Sequence, residues 1–392
     1  MALSESTAPP LPRTPLRAWA AVCSVTLGIF TIVTAEILPI GLLPLIGDDF
    51  ALTPGRTGWL MTIPGLVAAV AAPIVTVTTR RLDRRSMLAA LLAVLALSDA
   101  LAAAAEAYWL ELAARVLVGL VIGGFWSIGA GLAVRLVPPH AVARATAMIF
   151  AAVPLGSVLG VPAGTLLGEA AGWRTAFATL GLLTLVSFGA LLVLAPPLPP
   201  VDVTRLGVLR DVLRKRQTKQ AMVVTAMIVL AHFGTYTYVT PLLLDVTGVA
   251  SEQVGVLLLV YGVAGFAGNA LAGAGISRDL RATFVAACGL LAVATVLLPI
   301  VGRSTPLAVG LLVVWGLAYG AVPACSMSLF ARVAPQAREA MTVVFTSTFQ
   351  AMLSTGALLG GLVVDLVSVP AVMICGGLLA AAALTALLRW ER

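Results

Sequence analysis

Twelve times along this chain, about 20 or more largely apolar residues follow one another with scarcely a charge. At 1.5 Å of helical rise per residue, a run of that length matches the hydrocarbon core of a bilayer. The runs lie at roughly 18–45, 54–78, 87–105, 109–134, 141–168, 174–195, 220–245, 252–275, 282–301, 306–331, 338–365 and 370–389, and are numbered here helices 1 to 12. Only 10% of the 392 residues are charged, where a soluble domain carries about 25%. A soluble globular fold is excluded. The sequence predicts an all-α integral membrane protein with an even number of spans, so both termini share one side.

Charge placement predicts which side that is. The net charge of +7 does not point to nucleic acid, because the basic residues are scattered between the apolar runs instead of gathered on one face. With the N-terminus cytoplasmic, the inner loops and ends collect about 20 lysines and arginines, among them Arg80, Arg81, Arg84, Arg85, Arg214, Lys215 and Arg216. The outer loops keep Arg56, Arg174 and Arg303. Residues 1–17, polar and proline-rich, predict a disordered cytoplasmic segment and no cleaved signal peptide. The four cysteines sit in apolar runs without a C-x-x-C pair and read as packing residues.

The longest polar stretch divides the chain into two sets of six helices: a bundle over 18–195, a cytoplasmic linker over 196–219, and a bundle over 220–389. Within the linker, "LRDVLRKR" reads as a basic amphipathic helix at the membrane surface. The halves echo each other. "TRRLDRRS" after helix 2 corresponds to "SRDLRAT" after helix 8, and "GTLLGE" in helix 5 to "GGLVVD" in helix 11. Two pseudo-symmetric six-helix bundles, with a solute site between them near the midplane, are the usual build of secondary transporters.

Against this background a few residues stand out. In "TIVTAEILPIGLLP", Glu36 lies within helix 1, where an ionised carboxylate costs roughly 2.5–3.5 kcal/mol on insertion scales. It is either a rim carboxylate that pairs or snorkels, or a proton or substrate site. Asp99 on helix 3 and Arg115 on helix 4 fall at similar depth, and a structural Asp99–Arg115 pair would satisfy both. Helix 5 carries Gly156, Gly160, Gly164 and Gly168 every four residues, with Pro154 and Pro162 as bends; the stripe is either static packing or a hinge between states. The loop containing Asp83, Arg84 and Arg85 is either a positive-inside anchor or a charge latch between helix ends. For a planar or polyhydroxylated solute, the candidate lining is His232, Tyr236 and Tyr238 on helix 7, Asn269, Trp315, Tyr319 and Gln350, with Phe125 and Trp126 on helix 4. Each of these also suits plain packing.

Several of these segments resemble one family in order. "RRLDRRSML" is similar to a shortened form of the motif between helices 2 and 3 of the major facilitator superfamily, without the glycines that flank its aspartate. "RVLVGLVIGG" resembles that family's helix 4 motif, with Arg115 in the arginine position, and "GSVLGVPAGTLLGEAAGWRTAF" its helix 5 antiporter motif. The resemblance is to the twelve-helix drug–proton antiporter branch. "AEILPIGLLP", "GGFWSIGAGLAVRLVPP" and "LGEAAGWRTAF" look closest to bacterial purine ribonucleoside efflux transporters and their sugar-efflux relatives. It implies a proton-coupled exporter of nucleosides or drug-like solutes in a bacterial plasma membrane, with Glu36, Arg115 and Asp99 as the proton-coupling candidates. Sugar efflux and uniport are the alternatives within that class, and a non-transporting receptor the alternative outside it.

No Walker A sequence, no H-E-x-x-H and no G-x-S-x-G occur, and the chain has two histidines. Neither ATP coupling, enzymatic activity, metal nor cofactor is expected. The expected partners are a small solute, protons and lipid, not nucleic acid, and the expected state is a monomer.

Overall fold

The computed structural model describes residues 15–79, 82–128, 132–199 and 206–389. Among them no strand occurs, and nearly every residue is helical. Lipid offers no hydrogen bonds, so a chain this apolar must satisfy its backbone within each segment.

Ten helices are long and apolar enough to cross a membrane, and the bent pair Arg216–Tyr236 with Val239–Thr247, broken by 50°, makes eleven. The long helix Ser251–Val301 is two helices joined at Asp279, whose φ of −152° and ψ of 104° are not helical. That division brings the described spans to twelve. Helix 1 is Pro15–Ile37, continued by Pro39–Asp49 through Leu38, whose φ of −50° and ψ of −41° are helical. A short turn, Pro54–Thr57, leads into helix 2 at Trp59–Thr78. Helices 3, 4 and 6 are Arg84–Ala103, Tyr108–Ile128 and Trp173–Leu194. Helix 5 runs from Val142 to Ala171 through a π turn, Gly156–Gly160. Pro162 has no N–H to offer the Val158 carbonyl, and the wider turn absorbs the fault. Helices 10, 11 and 12 are Thr305–Val333, Arg338–Leu366 and Val369–Leu388.

Two expected boundaries move. Helix 1 begins at Pro15, inside the expected disordered segment, while residues 1–14 lie outside the described residues. The linker holds the expected helix, Leu206–Arg214, but helix 7 begins at Arg216, within the expected linker.

The internal repeat is physical. A Cβ on Gly119 of helix 4 would lie 2.4 Å from the Pro64 carbonyl of helix 2, and one on Gly316 of helix 10 would lie 2.3 Å from the Tyr261 carbonyl of helix 8. Each half therefore packs the same two helices backbone to backbone, which only small residues permit. Between halves the approach is as close. A Cβ on Gly65 of helix 2 would lie 2.7 Å from the Gln350 carbonyl of helix 11, and one on Gly262 of helix 8 would lie 2.8 Å from Val158 Cα of helix 5.

At the end away from the termini the halves are tied together. Asp365, at the end of helix 11, accepts from Thr53 Oγ1 at 2.7 Å and from the Gly55 N–H at 2.9 Å. It caps the start of the 54–57 turn from across the interface. Tyr238, fully buried, donates to the Ala357 carbonyl at 2.7 Å and fills the space beside Gly58 and Gly361.

Candidate functional site

Helix 1 loses backbone hydrogen bonds beside its acid for a covalent reason, although Leu38 keeps helical dihedrals. Pro39 cannot donate to the Ala35 carbonyl, and Pro44 cannot donate to that of Ile40, so two buried acceptors are released. Each finds a partner on another helix. Arg115 Nη1 donates to the Ala35 oxygen at 2.8 Å, and Thr240 Oγ1 of helix 7 donates to the Ile40 oxygen at 3.0 Å. Glu36 sits one residue past the first of these, 8% exposed. Gln350 Nε2 of helix 11 donates to its Oε1 at 2.8 Å, a bond across the two halves. The helix 1 acid thus lies at the interface itself.

Arg115 does not pair with Asp99. Its Nε lies 3.2 Å from Oε1 of Glu111, one turn earlier on helix 4, and its guanidinium stands over the Phe177 ring at 5.0 Å. Asp99 instead accepts from Thr184 Oγ1 of helix 6 at 3.1 Å. Both charged neighbours are fully buried. Glu111 was missed in the sequence reading because it stands close to the start of its span. The i, i+4 spacing to Arg115 was the signal that could have found it.

The C-terminal half places aromatic rings against this region. His232 stacks on Tyr319 with ring centroids 3.3 Å apart and on Tyr236 at 5.1 Å, and Tyr236 stacks on Tyr261 at 4.5 Å. Trp315 Nε1 donates to His232 Nδ1 at 3.2 Å, which leaves the imidazole proton on Nε2. His232 Nε2, the Tyr261 hydroxyl and Gln350 Oε1 are buried and have no hydrogen-bond partner. Two donors and an acceptor beside flat rings suit a planar solute with both kinds of polar edge. Tyr261, alone in an apolar stretch of helix 8, carried no sequence signal.

Other candidates lie elsewhere. Tyr238 belongs to the closed end away from the termini. Phe125 packs edge-on against Trp126, with centroids 5.3 Å apart, and faces Ile29, Leu92 and Leu191 inside its own half. Asn269 is exposed and not part of the ring stack. The glycine stripe faces helix 1: Cβ atoms on Gly156, Gly160, Gly164 and Gly168 would come within 3.0, 2.4, 2.0 and 2.4 Å of Val33, Thr34, Leu38 and Leu42. The opposite side of helix 5 meets helix 8, where Gly255 lies against Leu166 and the carbonyl of Pro162.

At the other end of the molecule Asp83 caps helix 3, accepting from the Ser86 N–H at 3.0 Å, and its second oxygen accepts from the Leu198 N–H at 2.5 Å. Partial burial alone would raise this carboxyl. The amides of Ser86, Leu198 and Arg85 and the Ser86 hydroxyl more than offset that and hold it below the usual range. Arg84 donates to the Thr79 carbonyl at 3.3 Å, and Arg85 to that of Leu192. All these partners belong to the N-terminal half. Among the described residues, no group of three or more His, Cys, Asp and Glu could hold a metal ion.

Comparison with known proteins agrees with this architecture. The sequence matches the Major Facilitator Superfamily over residues 25–356. The "Transcription regulatory protein OpdE" of Pseudomonas aeruginosa is 33% identical over 88% of this chain and 87% of its own. The "Purine ribonucleoside efflux pump NepI" of Escherichia coli (strain K12) is 29% identical over 92% of this chain and 91% of its own. Among solved structures, an inward-facing, unoccupied bacterial homologue of the human lysosomal transporter Spinster superposes with a TM-score of 0.71 at 15% identity, covering 96% of both chains. The human organic anion transporter MFSD10 superposes with a TM-score of 0.69 at 20% identity, covering 96% of this chain and 100% of that one. With its fold, its motifs and most of its length accounted for, this chain belongs to the Major Facilitator Superfamily, a family of membrane transporters and not of enzymes.

Proposed function

We propose that the protein is a proton-coupled exporter of small polar-aromatic solutes, nucleosides or drug-like molecules, working by alternating access. One observation carries this reading: the buried Glu36 of helix 1 is hydrogen-bonded across the halves to Gln350 of helix 11. The name of the E. coli relative supports a purine ribonucleoside as the first solute to try.

In this mechanism ionised Glu36 accepts from Gln350 and holds the halves together at mid-membrane. A solute seated on the His232–Tyr319 stack competes for the Gln350 amide. A proton arriving from outside turns Glu36 from acceptor into donor, which removes the charge and frees Gln350. Solute and proton therefore use the same residues in turn, as antiport requires. Arg115 takes up the Ala35 carbonyl that Pro39 leaves free, next to Glu36, and Asp99 takes part in the charge balance behind it. Asp83 to Arg85 serve as a cytoplasmic latch, here engaged within their own half. The two bundles, over residues 18–195 and 220–389, are the moving bodies. We place the protein, as a monomer with both termini cytoplasmic, in a bacterial plasma membrane.

The test is flux in proteoliposomes, scanning nucleosides, sugars and cationic dyes under an imposed pH gradient. Accumulation of a nucleoside against its gradient, with counterflow of protons, is the expected result. Sugar flux alone would make the protein a sugar exporter, and flux indifferent to pH a uniporter. A second reading, a solute-binding membrane regulator, is favoured by the name of the P. aeruginosa relative. Binding of a solute without any flux would support it.

A further inference from the structure

Helices 3, 4 and 6 enclose a polar cluster inside the N-terminal half, behind the interface. Asp99, Glu111 and Arg115 are each 0% exposed. Arg115 contacts Glu111 Oε1 at 3.2 Å and Asp99 accepts from Thr184 at 3.1 Å, yet Asp99 Oδ1 and Glu111 Oε2 lack a hydrogen-bond partner. Among the described residues, the one other cation within electrostatic range of the pair is Arg174, near Glu111, and it has its own carboxylate partner. Helix 6 contributes Thr184, the Phe177 ring and, at its outer start, Arg174, which is already bound by Asp49 at 2.7 Å and by the Ala105 carbonyl. The start of helix 4 contributes Tyr108, whose hydroxyl donates to the Arg56 carbonyl at the rim. Helix 1 contributes the Ala35 carbonyl, and its Glu36 is engaged by Gln350.

Two buried carboxyls therefore stand near a single guanidinium, which contacts Glu111 and not Asp99. With both ionised, one negative charge would remain without a counterion in a dry interior, an arrangement far costlier than a matched pair. We propose that Asp99, Glu111 and Arg115 form a second proton-binding site, in which one proton taken from water is held on either carboxyl while the other pairs with Arg115. The protonated group gains an O–H donor, and the proton returns to water when the site opens. The site is mechanically tied to Glu36, because the same guanidinium holds the carbonyl freed by Pro39. Loss of the proton leaves two anions competing for Arg115 and draws it away from Ala35.

The test does not depend on transport. Infrared absorption of neutral carboxyl groups is measured on purified full-length protein in a Glu36→Gln background at neutral pH, which removes the other membrane-buried acid. The expected spectrum shows a neutral-carboxyl band, lost in Asp99→Asn and equally in Glu111→Gln, since each leaves one carboxylate matched to Arg115. Arg115→Gln should double the band. Should one acid variant fail to fold, the other gives the same reading. Absence of the band in Glu36→Gln, or its survival in either acid variant, would overturn the proposal. Failure of the Glu36 reading would show in flux and leave this band untouched.

Discussion

A single carboxyl in an apolar helix has three fates: it pairs, it reaches the rim, or it takes part in chemistry. Glu36 is buried and its visible partner is an amide, so its charge is solvated by hydrogen bonding without being neutralised. Glu36→Gln keeps the size and a hydrogen-bonding head but cannot exchange a proton. It should still bind solute, and exchange solute for solute, while pH-driven accumulation into inverted vesicles falls to background; undiminished driven uptake would remove Glu36 from the coupling. Asp83 tests a different residue-scale effect. Its carboxyl is held below the unfolded value, so its stabilisation is full above that value and drains away as pH falls through the depressed one. Loss of such a cap costs about 0.5–2 kcal/mol. Asp83→Ala should therefore lower the unfolding temperature at neutral pH, and the gap from wild type should close in acid; a gap that widened in acid would contradict the capping geometry. Glu36 was legible in the sequence because a charge in an apolar run has nowhere to hide. Gln350 was visible only as a candidate, since the two residues are 314 apart in sequence and only the fold sets them at hydrogen-bond distance.

At the scale of the helix, the sequence read well where a residue acts on its own backbone and poorly where it acts on a neighbour. Of the two prolines expected to bend helix 5, Pro162 follows a π turn that one missing N–H explains, whereas the carbonyls freed by Pro39 and Pro44 in helix 1 were not anticipated. The glycine stripe foretold close packing, but not against which helix. It faces helix 1, so a larger side chain there would push away the helix that carries Glu36. Gly160→Leu and Gly164→Leu, whose first carbons would already meet Thr34 at 2.4 Å and Leu38 at 2.0 Å, should lower transport severely while leaving protein in the membrane. A leucine on Gly189, where an added Cβ meets nothing within 4 Å, should be near-neutral in the same flux assay. Equal flux in all three variants would make the stripe a passive feature.

The whole molecule is a balance between two bundles, and what holds one end shut sets that balance. Apolar length foretold the spans; the orientation that charge asymmetry predicts is checked by labelling a cysteine at Ser304, expected to react from outside, and one at Thr204, expected not to. Asp365 was legible only as the acid of an internal repeat; its grip on Thr53 and Gly55 comes from helices 2 and 11 meeting end to end. Such a bond is strained or broken whenever the outer end opens, so it stabilises the closed state alone. An exposed hydrogen bond of this kind contributes about 0.5–1.5 kcal/mol, which shifts a two-state equilibrium by roughly two- to tenfold. Asp365→Ala should shift the population towards the open outer end by that factor. The reporter is a cysteine at Thr240, 2% exposed beneath the latch, in a background with the four native cysteines replaced. Its rate of modification by a membrane-impermeant maleimide should rise two- to tenfold in Asp365→Ala, and by less in Thr53→Val, which removes one of the two donors. An unchanged rate in Asp365→Ala would mean that Tyr238 and the glycine contacts between helices 2 and 11 hold the outer end without it.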